Sequence, residues 1–252
     1  MQAYNSSFAR VYNLRWTQFA QNVAPRLRAY YESTGVGEEN HALLDLCCGT
    51  GHLATHFLDS GYSVIGLDLS EAMLEYARAN AAAYIVAGLA HFVQGDAADF
   101  ELDDHFGLVV STFDALNHLS DFNALKSCFL SVYPVLVPGG SFIFDLNTLD
   151  GLRRWTGISI EDGLDLMLVT RALYDDGTQK AFMRISGFIK ARDDLYERFE
   201  ETTFEIGFDL AAVREALLET GFRKVRFSRL QDLNAPVEEP ERESRIYIIA
   251  EK

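Results

Sequence analysis

The chain has 252 residues, 48% of them hydrophobic, which is enough for one α/β domain with an insertion and a large core. No stretch approaches the roughly 20 uninterrupted apolar residues that cross a bilayer, and the first ten residues lack the apolar segment of a secretory signal. The cysteines at positions 47, 48 and 128 form no disulfide framework and no zinc motif. We therefore expect a cytoplasmic protein with reduced cysteines and no metal site.

The formal charge of −15 is distributed unevenly along the chain. Residues 1–37 carry a net charge of +3, whereas residues 38–150 carry sixteen acidic side chains against only Arg78 and Lys126. An enzyme of nucleic acids needs lysine and arginine to replace the counterions of the phosphates. We therefore expect neither nucleic acid nor an anionic membrane as a partner.

The first predicted element is a helix over residues 5–31. Phe8, Tyr12, Trp16 and Phe19 recur at three- and four-residue spacing and form one aromatic face. Such a face is typical of core packing, and Tyr12 is in addition a candidate for contact with a ligand. We expect residues 1–37 to form an N-terminal helical cap.

From residue 38 onwards, short apolar strands alternate with helices. This alternation is typical of a parallel sheet that is covered on both faces. The predicted strands are 42–46, 62–67, 91–94, 106–112 and 141–146, and the predicted helices are 50–59, 70–83 and 121–136. The sequence PGG at 138–140 is expected to end the last of these helices.

After residue 150 the pattern changes to β segments. Three long segments, 164–174, 179–190 and 195–208, are joined by short polar turns, and Asp176-Gly177 is a strong hairpin signal. We predict an antiparallel insertion over 151–208. The α/β pattern resumes with a helix over 209–220 and strands over 222–228 and 245–250, so the main domain comprises 38–150 and 209–252.

A glycine-rich turn, DLCCGTG at residues 45–51, follows the first predicted strand. Between a strand and a helix, such a turn directs backbone N–H groups and the positive end of the helix dipole towards a ligand. We expect Gly49 and Gly51 to be needed because a side chain would block the close approach of that ligand. Asp68 ends the second predicted strand, where a carboxylate can accept hydrogen bonds from both hydroxyls of a ribose.

The glycines alone fit two ligands. They also match a dinucleotide fingerprint, so a nicotinamide-dependent oxidoreductase is an alternative. However, the stretch resembles the first motif of class I S-adenosylmethionine-dependent methyltransferases, in which an acid stands four residues before the first glycine. Asp45 occupies that position, and the resemblance implies that it holds the ammonium group of the cofactor, directly or through water. Cys47 is expected to be a small packing residue beside the cofactor.

Further segments resemble the same family in the same order. In LDLSEAMLEYA at 67–77, the resemblance implies that Asp68 binds the ribose, that Met73 packs on the adenine and that Leu69 lies beside the cofactor. In FVQGDA at 92–97, it implies that Asp96 accepts the adenine amino group and that Ala97 leaves room for the ring.

The last two segments lie closer to the reacting centre. FGLVVST at 106–112 resembles the fourth strand of the family, whose end at Thr112 reaches that centre, and LVPGGSF at 136–142 resembles the turn into the fifth strand. The resemblance implies a Rossmann-like, doubly wound, seven-stranded sheet of order 3-2-1-4-5-7-6. It also implies S-adenosyl-L-methionine as cofactor and S-adenosyl-L-homocysteine as product.

A looser resemblance joins the chain to small-molecule methyltransferases with a β insertion after the fifth strand, including aminosugar N-methyltransferases. It is carried by FARVY at 8–12, DALNH at 114–118 and FDLN at 144–147. It implies that Tyr12 and its helix lie over the cofactor and that the insertion borders the acceptor site. The acceptor group is expected to be an amine, hydroxyl or carboxylate of a small molecule.

His118 is the candidate general base, because it lies just beyond the fourth strand and has a pKa near neutrality. Asn117 and Asp114, with Asp145 and Asn147, are candidates for orienting the acceptor, against ordinary turn and capping roles. Two alternatives stay open from the residues alone. The protein could bind the cofactor as a non-catalytic regulator, and the insertion could form the interface of a homodimer.

Overall fold

The computed structural model describes residues 4–252, so the first three residues of the predicted helical cap lie outside the described residues. The cap consists of α1 (Ser6–Arg15), α2 (Thr17–Glu32) and α3 (Gly35–Glu39). The prediction of one helix over 5–31 is wrong, because the helix breaks at Trp16, which ends α1 and precedes α2 without a side-chain cap. The break lets α1 contact the insertion while α2 packs on the main domain.

The remaining elements follow the predicted alternation. The first half contains β1 (Ala42–Leu46), α4 (His52–Asp59), β2 (Ser63–Asp68), α5 (Glu71–Asn80), α6 (Ala82–Val86), β3 (Ala90–Gln94), β4 (Phe106–Ser111), α7 (Phe122–Val135) and β5 (Leu136–Asn147). The second half contains α8 (Leu149–Arg153), β6 (Thr156–Asp162), β7 (Leu166–Asp175), β8 (Lys180–Arg192), β9 (Leu195–Ile206), α9 (Leu210–Thr220), β10 (Arg223–Arg229), β11 (Asp232–Pro236) and β12 (Arg245–Glu251).

The main sheet has eight strands in the order β3-β2-β1-β4-β5-β12-β10-β11. The first five strands pair in parallel, and β12 pairs antiparallel with both β5 and β10. The predicted order 3-2-1-4-5-7-6 is thereby confirmed. The sequence did not predict β11, a short edge strand next to β10.

The helix predicted over 121–136 ends at Val135, but PGG at 138–140 lies inside β5 and not at the end of the helix. Leu136 already has an extended backbone, with φ −80° and ψ 141°, and β5 runs from there through the glycines. A Cβ atom on Gly140 would lie 2.9 Å from the carbonyl oxygen of Gly107 on β4. These glycines therefore permit close strand contact at a register shift between β4 and β5.

The insertion is a four-stranded antiparallel sheet of order β6-β7-β8-β9. Its edge strand β6 was not predicted, because its apolar alternation is limited to Ile158 and Ile160; every residue of β6 is exposed. The inner face of the sheet buries apolar side chains against α1, namely Leu168, Ile185, Ile189 and Phe199 against Phe8, Ala9 and Val11. A Cβ atom on Gly207 would lie 2.5 Å from Leu149 Cδ2, so the chain leaves and re-enters the main domain at one place.

Within residues 4–252, no helix is long and apolar enough to cross a membrane.

Candidate active site

A cavity of about 270 Å³ lies between the carboxyl ends of the main-sheet strands, α1 and the insertion. Ligands bind at this edge in open α/β sheets. A smaller adjoining cavity of about 40 Å³ shares part of the wall and reaches Asp45 and Thr50. Of the residues predicted to bind the cofactor, the two cavities are lined by Tyr12, Asp45, Cys47, Gly49, Asp68, Leu69, Met73 and Thr112.

The glycine turn is held by backbone conformations that glycine adopts easily. Gly49 and Gly51 have φ values of 54° and 74°, and Cys47 between strand and turn has a φ of 61°. Gly49 lines the larger cavity, as expected. Gly51 does not line either cavity, and a Cβ atom there would lie 3.0 Å from Ala77 Cβ on α5. The expected reason for Gly51 is therefore corrected to helix packing and backbone conformation.

Asp68 joins the end of β2 to the glycine turn. Its Oδ2 accepts a hydrogen bond from the backbone N–H of Gly49 at 2.8 Å, and its Oδ1 accepts one from Ser70 at 2.9 Å. Burial raises the pKa of this carboxyl. The side chain also lines the larger cavity, beside Leu69 and Met73.

Asp45 and Thr50 carry buried polar atoms that the described residues leave unpaired. Asp45 is 2% exposed, and within residues 4–252 neither its Oδ2 nor the Thr50 Oγ1 has a hydrogen-bond partner. Burial, together with the nearby Asp68, raises the pKa of Asp45 to about 8. Unpartnered buried oxygens are costly. These two oxygens therefore fit a ligand that supplies a cation and a hydrogen-bond donor. The ammonium end of S-adenosylmethionine has both properties. Thr50 was not among the residues predicted from the sequence.

Asp96 and Ala97 do not line the cavity, in contrast to the other residues of the predicted adenine site. Asp96 Oδ1 accepts a hydrogen bond from the backbone of Ala98 at 2.9 Å, and Ala97 is 1% exposed in the main core. Both residues shape the turn after β3. Their predicted contacts with adenine stay predictions.

The segment after β4 has a strained backbone that Asp145 stabilises. Phe113 and Asp114 have φ values of 65° and 53°, which non-glycine residues rarely adopt. The carboxylate of Asp145 accepts hydrogen bonds from both of their backbone N–H groups, at 2.7 and 3.1 Å. Asp145 is fully buried and therefore positions the cavity wall, whereas the sequence suggested that it orients the acceptor.

Arg245 on β12 is the cation that neutralises this segment. Its guanidinium donates to Asp145 Oδ2 at 2.5 Å and forms an ion pair with Asp114. Burial nevertheless raises the pKa of Asp145 to about 6. The sequence reasoning missed Arg245, because it stands 131 residues from Asp114 and in no motif.

His118 lines the cavity. Its Nδ1 lies 2.9 Å from both the carbonyl oxygen of Phe204 and Oγ1 of Thr203. Because the carbonyl oxygen can only accept, we assign the hydrogen to Nδ1, which leaves Nε2 as the free base. Burial lowers the pKa of His118, which favours the neutral ring. This geometry suits the predicted general base.

Glu205 on β9 is a cavity residue that the sequence reasoning missed. Its side chain is 3% exposed, its Oε2 accepts a hydrogen bond from Asn147 at 2.8 Å, and its Oε1 lies 3.9 Å from His118 Nε2. Burial and the neighbouring Asp114 raise the pKa of this carboxyl well above its usual value. The available signal was alternation, because Glu201, Thr203 and Glu205 share the inner face of β9 with buried Phe199.

Asn117, predicted to orient the acceptor, does not line the cavity. Its amide donates to the backbone carbonyls of Asn147 and Ile206 at 3.0 and 2.8 Å, and its oxygen accepts from the Asn147 N–H at 2.9 Å. All of its side chain is buried. The prediction is therefore corrected: Asn117 ties the segment after β4 to β5 and to the end of β9.

The aromatic residues in and beside α1 serve both the core and the cavity. Phe8 is buried against the insertion, and Phe8, Tyr12 and Trp16 all line the cavity, with Tyr4 beside them. A half-buried aromatic wall of this kind excludes water and offers flat apolar surface to a ligand.

Comparisons with known proteins find similar methyltransferases. A family model described as a methyltransferase domain matches residues 43–140. The chain is 28% identical over 197 residues to the dTDP-3-amino-3,4,6-trideoxy-alpha-D-glucopyranose N,N-dimethyltransferase of Streptomyces venezuelae, with 73% of this chain and 79% of the relative covered.

Two solved structures have the same fold. An S-adenosylmethionine-dependent methyltransferase from Clostridium acetobutylicum has a TM-score of 0.79 at 23% identity, over 97% of both chains. A sugar N-methyltransferase from Streptoalloteichus sp. has a TM-score of 0.69 at 19% identity, over 92% of this chain and 87% of that chain.

Proposed function

Because the chain belongs to the class I S-adenosylmethionine-dependent methyltransferases, we propose that its acceptor is the amine nitrogen of a small molecule. Family membership makes S-adenosylmethionine the methyl donor and replaces the nicotinamide alternative. The charge of the cavity carries the proposal. Asp114 and Glu205 present carboxyl groups there, whereas Arg245 is the only lysine or arginine among the described lining residues and is shared with Asp145.

The residues of the glycine turn, together with Asp68 and Met73, fit the cofactor. Asp45 and Thr50 offer unpartnered oxygens to its ammonium end, Asp68 offers a carboxylate to its ribose, and Met73 offers apolar surface to its adenine. When bound, S-adenosylmethionine supplies a methyl group on a sulfonium, which is already strongly electrophilic. The protein therefore contributes mainly by aligning the acceptor and excluding water.

We call the part of the cavity lined by Asp114, His118 and Glu205 the acceptor wall. It favours a group that brings positive charge. An aliphatic amine is protonated in water at neutral pH and would compensate the carboxyl groups of Asp114 and Glu205. A carboxylate acceptor would add a further negative charge, and a hydroxyl would leave the existing charge uncompensated. An amine must lose a proton before it can accept a methyl group, and His118 Nε2 and Glu205 Oε1, 3.9 Å apart, are two proton acceptors of this wall.

The similar proteins support a ring-shaped amine. One of them is named as an N,N-dimethyltransferase of an amino sugar and another as a sugar N-methyltransferase. The wall around the carboxyl groups includes flat or apolar side chains that suit one face of such a ring, namely Phe113, Trp155, Met183 and Ile185.

A matched set of acceptors tests the proposal. The purified enzyme and S-adenosylmethionine are incubated with 3-amino-3-deoxy-D-glucose, D-glucose or D-glucuronate, and S-adenosylhomocysteine is measured. The three molecules share a sugar ring and differ in the group that they offer. We expect turnover only with the amino sugar, because only its ammonium group compensates the carboxyl groups of the wall. Turnover with glucose or glucuronate, and none with the amine, would contradict an amine acceptor.

A further inference from the structure

The acceptor wall contains more acidic groups than it has cations to balance. Asp114, His118 and Glu205 each bring one polar atom to a cluster in which the three atoms lie within 4.8 Å of one another. Asp145 lies behind them, and Arg245 is shared between Asp114 and Asp145. Uncompensated charge in a buried place is costly, so a proton or a bound cation has to reside in the cluster.

The hydrogen bonds around Glu205 show which of its oxygens is free. Asn147 donates to Oε2 at 2.8 Å. In the part of the chain that the structure describes, no N–H or O–H group donates to Oε1, which lies 3.9 Å from His118 Nε2. Since the Nδ1 of His118 already donates to the carbonyl of Phe204, its Nε2 lone pair is available on the side of Glu205.

Building on the proposed amine acceptor, we propose that Asp114 and Glu205 hold one proton between them in the free enzyme, and that the ammonium group of the acceptor replaces this proton. On binding, the O–H bond of the Glu205 carboxyl breaks, and the proton moves to Nε2 of His118 and then to water. The ammonium group then lies between two carboxylates. Next, one of its N–H bonds breaks, the proton bonds to the Glu205 carboxylate, and the neutral amine gains the lone pair that methyl transfer requires.

The electrostatic surroundings of Glu205 agree with this proton path. Its charged and titratable neighbours from other elements are Asp114, His118, Arg245 and Tyr4. Burial and Asp114 raise the pKa of Glu205, while burial lowers the pKa of His118. The proton therefore rests on the carboxyl pair, and the imidazole stays free to pass it on.

Infrared spectroscopy of the enzyme saturated with S-adenosylhomocysteine tests the shared proton. At neutral pH we expect the C=O absorption of a protonated carboxyl group that disappears in Glu205→Gln. Glu201→Gln is the matched control, because Glu201 is buried on the same face of β9 but bonds Asn5 outside the cluster. This control should keep the absorption.

The second arm adds the acceptor. Saturation with 3-amino-3-deoxy-D-glucose should abolish the absorption in the wild type and in Glu201→Gln, whereas D-glucose should leave it in place. Glu205→Gln should also lower kcat with the amine by about 100-fold or more. The proposal would be overturned if the S-adenosylhomocysteine complex without acceptor showed no Glu205-dependent absorption. It would also be overturned if the absorption persisted with the amine bound. Methylation of glucose in the acceptor screen would contradict the amine acceptor separately, since the free-enzyme spectrum does not depend on any acceptor.

Discussion

Single side chains in this site often act on the backbone before they act on a ligand. Asp145 accepts hydrogen bonds from two consecutive N–H groups in a left-handed backbone, and Asn117 satisfies the backbone of Asn147. Their amide and carboxylate groups are thereby used up inside the protein. Asp45 differs, because one of its oxygens is buried and has no hydrogen-bond partner within residues 4–252.

The raised pKa of Asp45 predicts that affinity for S-adenosylhomocysteine depends on pH. In the free protein the carboxyl is mostly protonated below its pKa of about 8, whereas a bound ammonium group favours the carboxylate. The dissociation constant should therefore fall as pH rises from 6 to 8, by at most tenfold per pH unit, and then level off. Asp45→Asn should show a flatter profile in calorimetric titrations, and identical profiles would contradict the ligand role of Asp45.

The same shift has a consequence for the stability of the ligand-free protein. Because the folded pKa lies above the ordinary value of 3.8, the stability contributed by Asp45 is present below pH 3.8 and is lost as the pH rises through about 8. The melting temperature of the free wild type should thus fall more between pH 5 and pH 8 than that of Asp45→Asn. Equal falls in the two proteins would count against a buried, unpaired carboxyl.

Asp68→Ala should weaken binding of S-adenosylhomocysteine by about tenfold to 100-fold, because each strong charged hydrogen bond contributes about 1.5–3 kcal/mol. Asp68 lines the cavity and also holds the Gly49 N–H. The control is Asp99→Ala, an exposed acid in the turn after β3, for which we expect no measurable change. Equal effects in calorimetric titrations would contradict the ribose role of Asp68.

At the scale of elements, α1 connects the two sheets. Its apolar face packs against β7, β8 and β9 of the insertion and against Met73 of α5, so one helix closes the cavity on both the main-domain side and the insertion side. Its polar bonds also cross to the insertion, from Asn5 to Glu201 and from Arg15 to Glu161. The exposed ion pair between Arg15 and Glu161 contributes little to stability. The bond from Asn5 to Glu201 matters more, because Glu201 is only 6% exposed and would lose a buried partner.

Asn5→Ala should loosen α1 without unfolding the domain. The substitution removes the side-chain cap on the Phe8 N–H, worth about 1 kcal/mol, and leaves buried Glu201 without its amide partner. Hydrogen exchange of residues 6–15 should accelerate roughly fivefold or more while exchange in β1 and β4 stays unchanged. Ser7→Ala is the control, because the side chain of Ser7 bonds the exposed Glu197. Comparable acceleration in Ser7→Ala would contradict a specific role for the Asn5 side chain.

At the scale of the whole molecule, the cavity exists only where the main sheet, α1 and the insertion meet. The glycine turn and Asp68 come from the main sheet, whereas Met183, Thr203 and Glu205 come from the insertion. The ends of the insertion lie together at Leu149 and Gly207, so the insertion is added to the sheet without interrupting its strand order.

Replacing residues 156–206 by a short glycine–serine linker should abolish methylation of the amine but keep the affinity for S-adenosylhomocysteine within about tenfold. The acceptor wall and the water-excluding roof would be lost, and alignment with them, whereas Asp45 and Asp68 would stay in place. Cofactor binding in calorimetry shows that the variant is folded. Turnover at the wild-type rate would exclude the insertion as part of the acceptor site.

The sequence by itself determined the strand order of the main sheet and most of the residues that line the cavity on the main-sheet side. These features depend on local patterns, since an apolar strand, a glycine turn and an acid at the next strand end are contiguous or regularly spaced. Asp45, Gly49 and Asp68 were therefore found at their positions along the cavity. The break at Trp16 was missed because the aromatic spacing continues through it, and β6 was missed because only Ile158 and Ile160 alternate with polar residues there.

Only the tertiary structure decided the acceptor wall. Asp114, Glu205 and Arg245 are far apart in the chain, and their types alone are those of ordinary surface residues. They meet because the segment after β4, β9 and β12 come together beside Asp145 of β5, where burial removes water from three carboxyl groups and one guanidinium. The unusual chemistry arises from that desolvation, which no local pattern records.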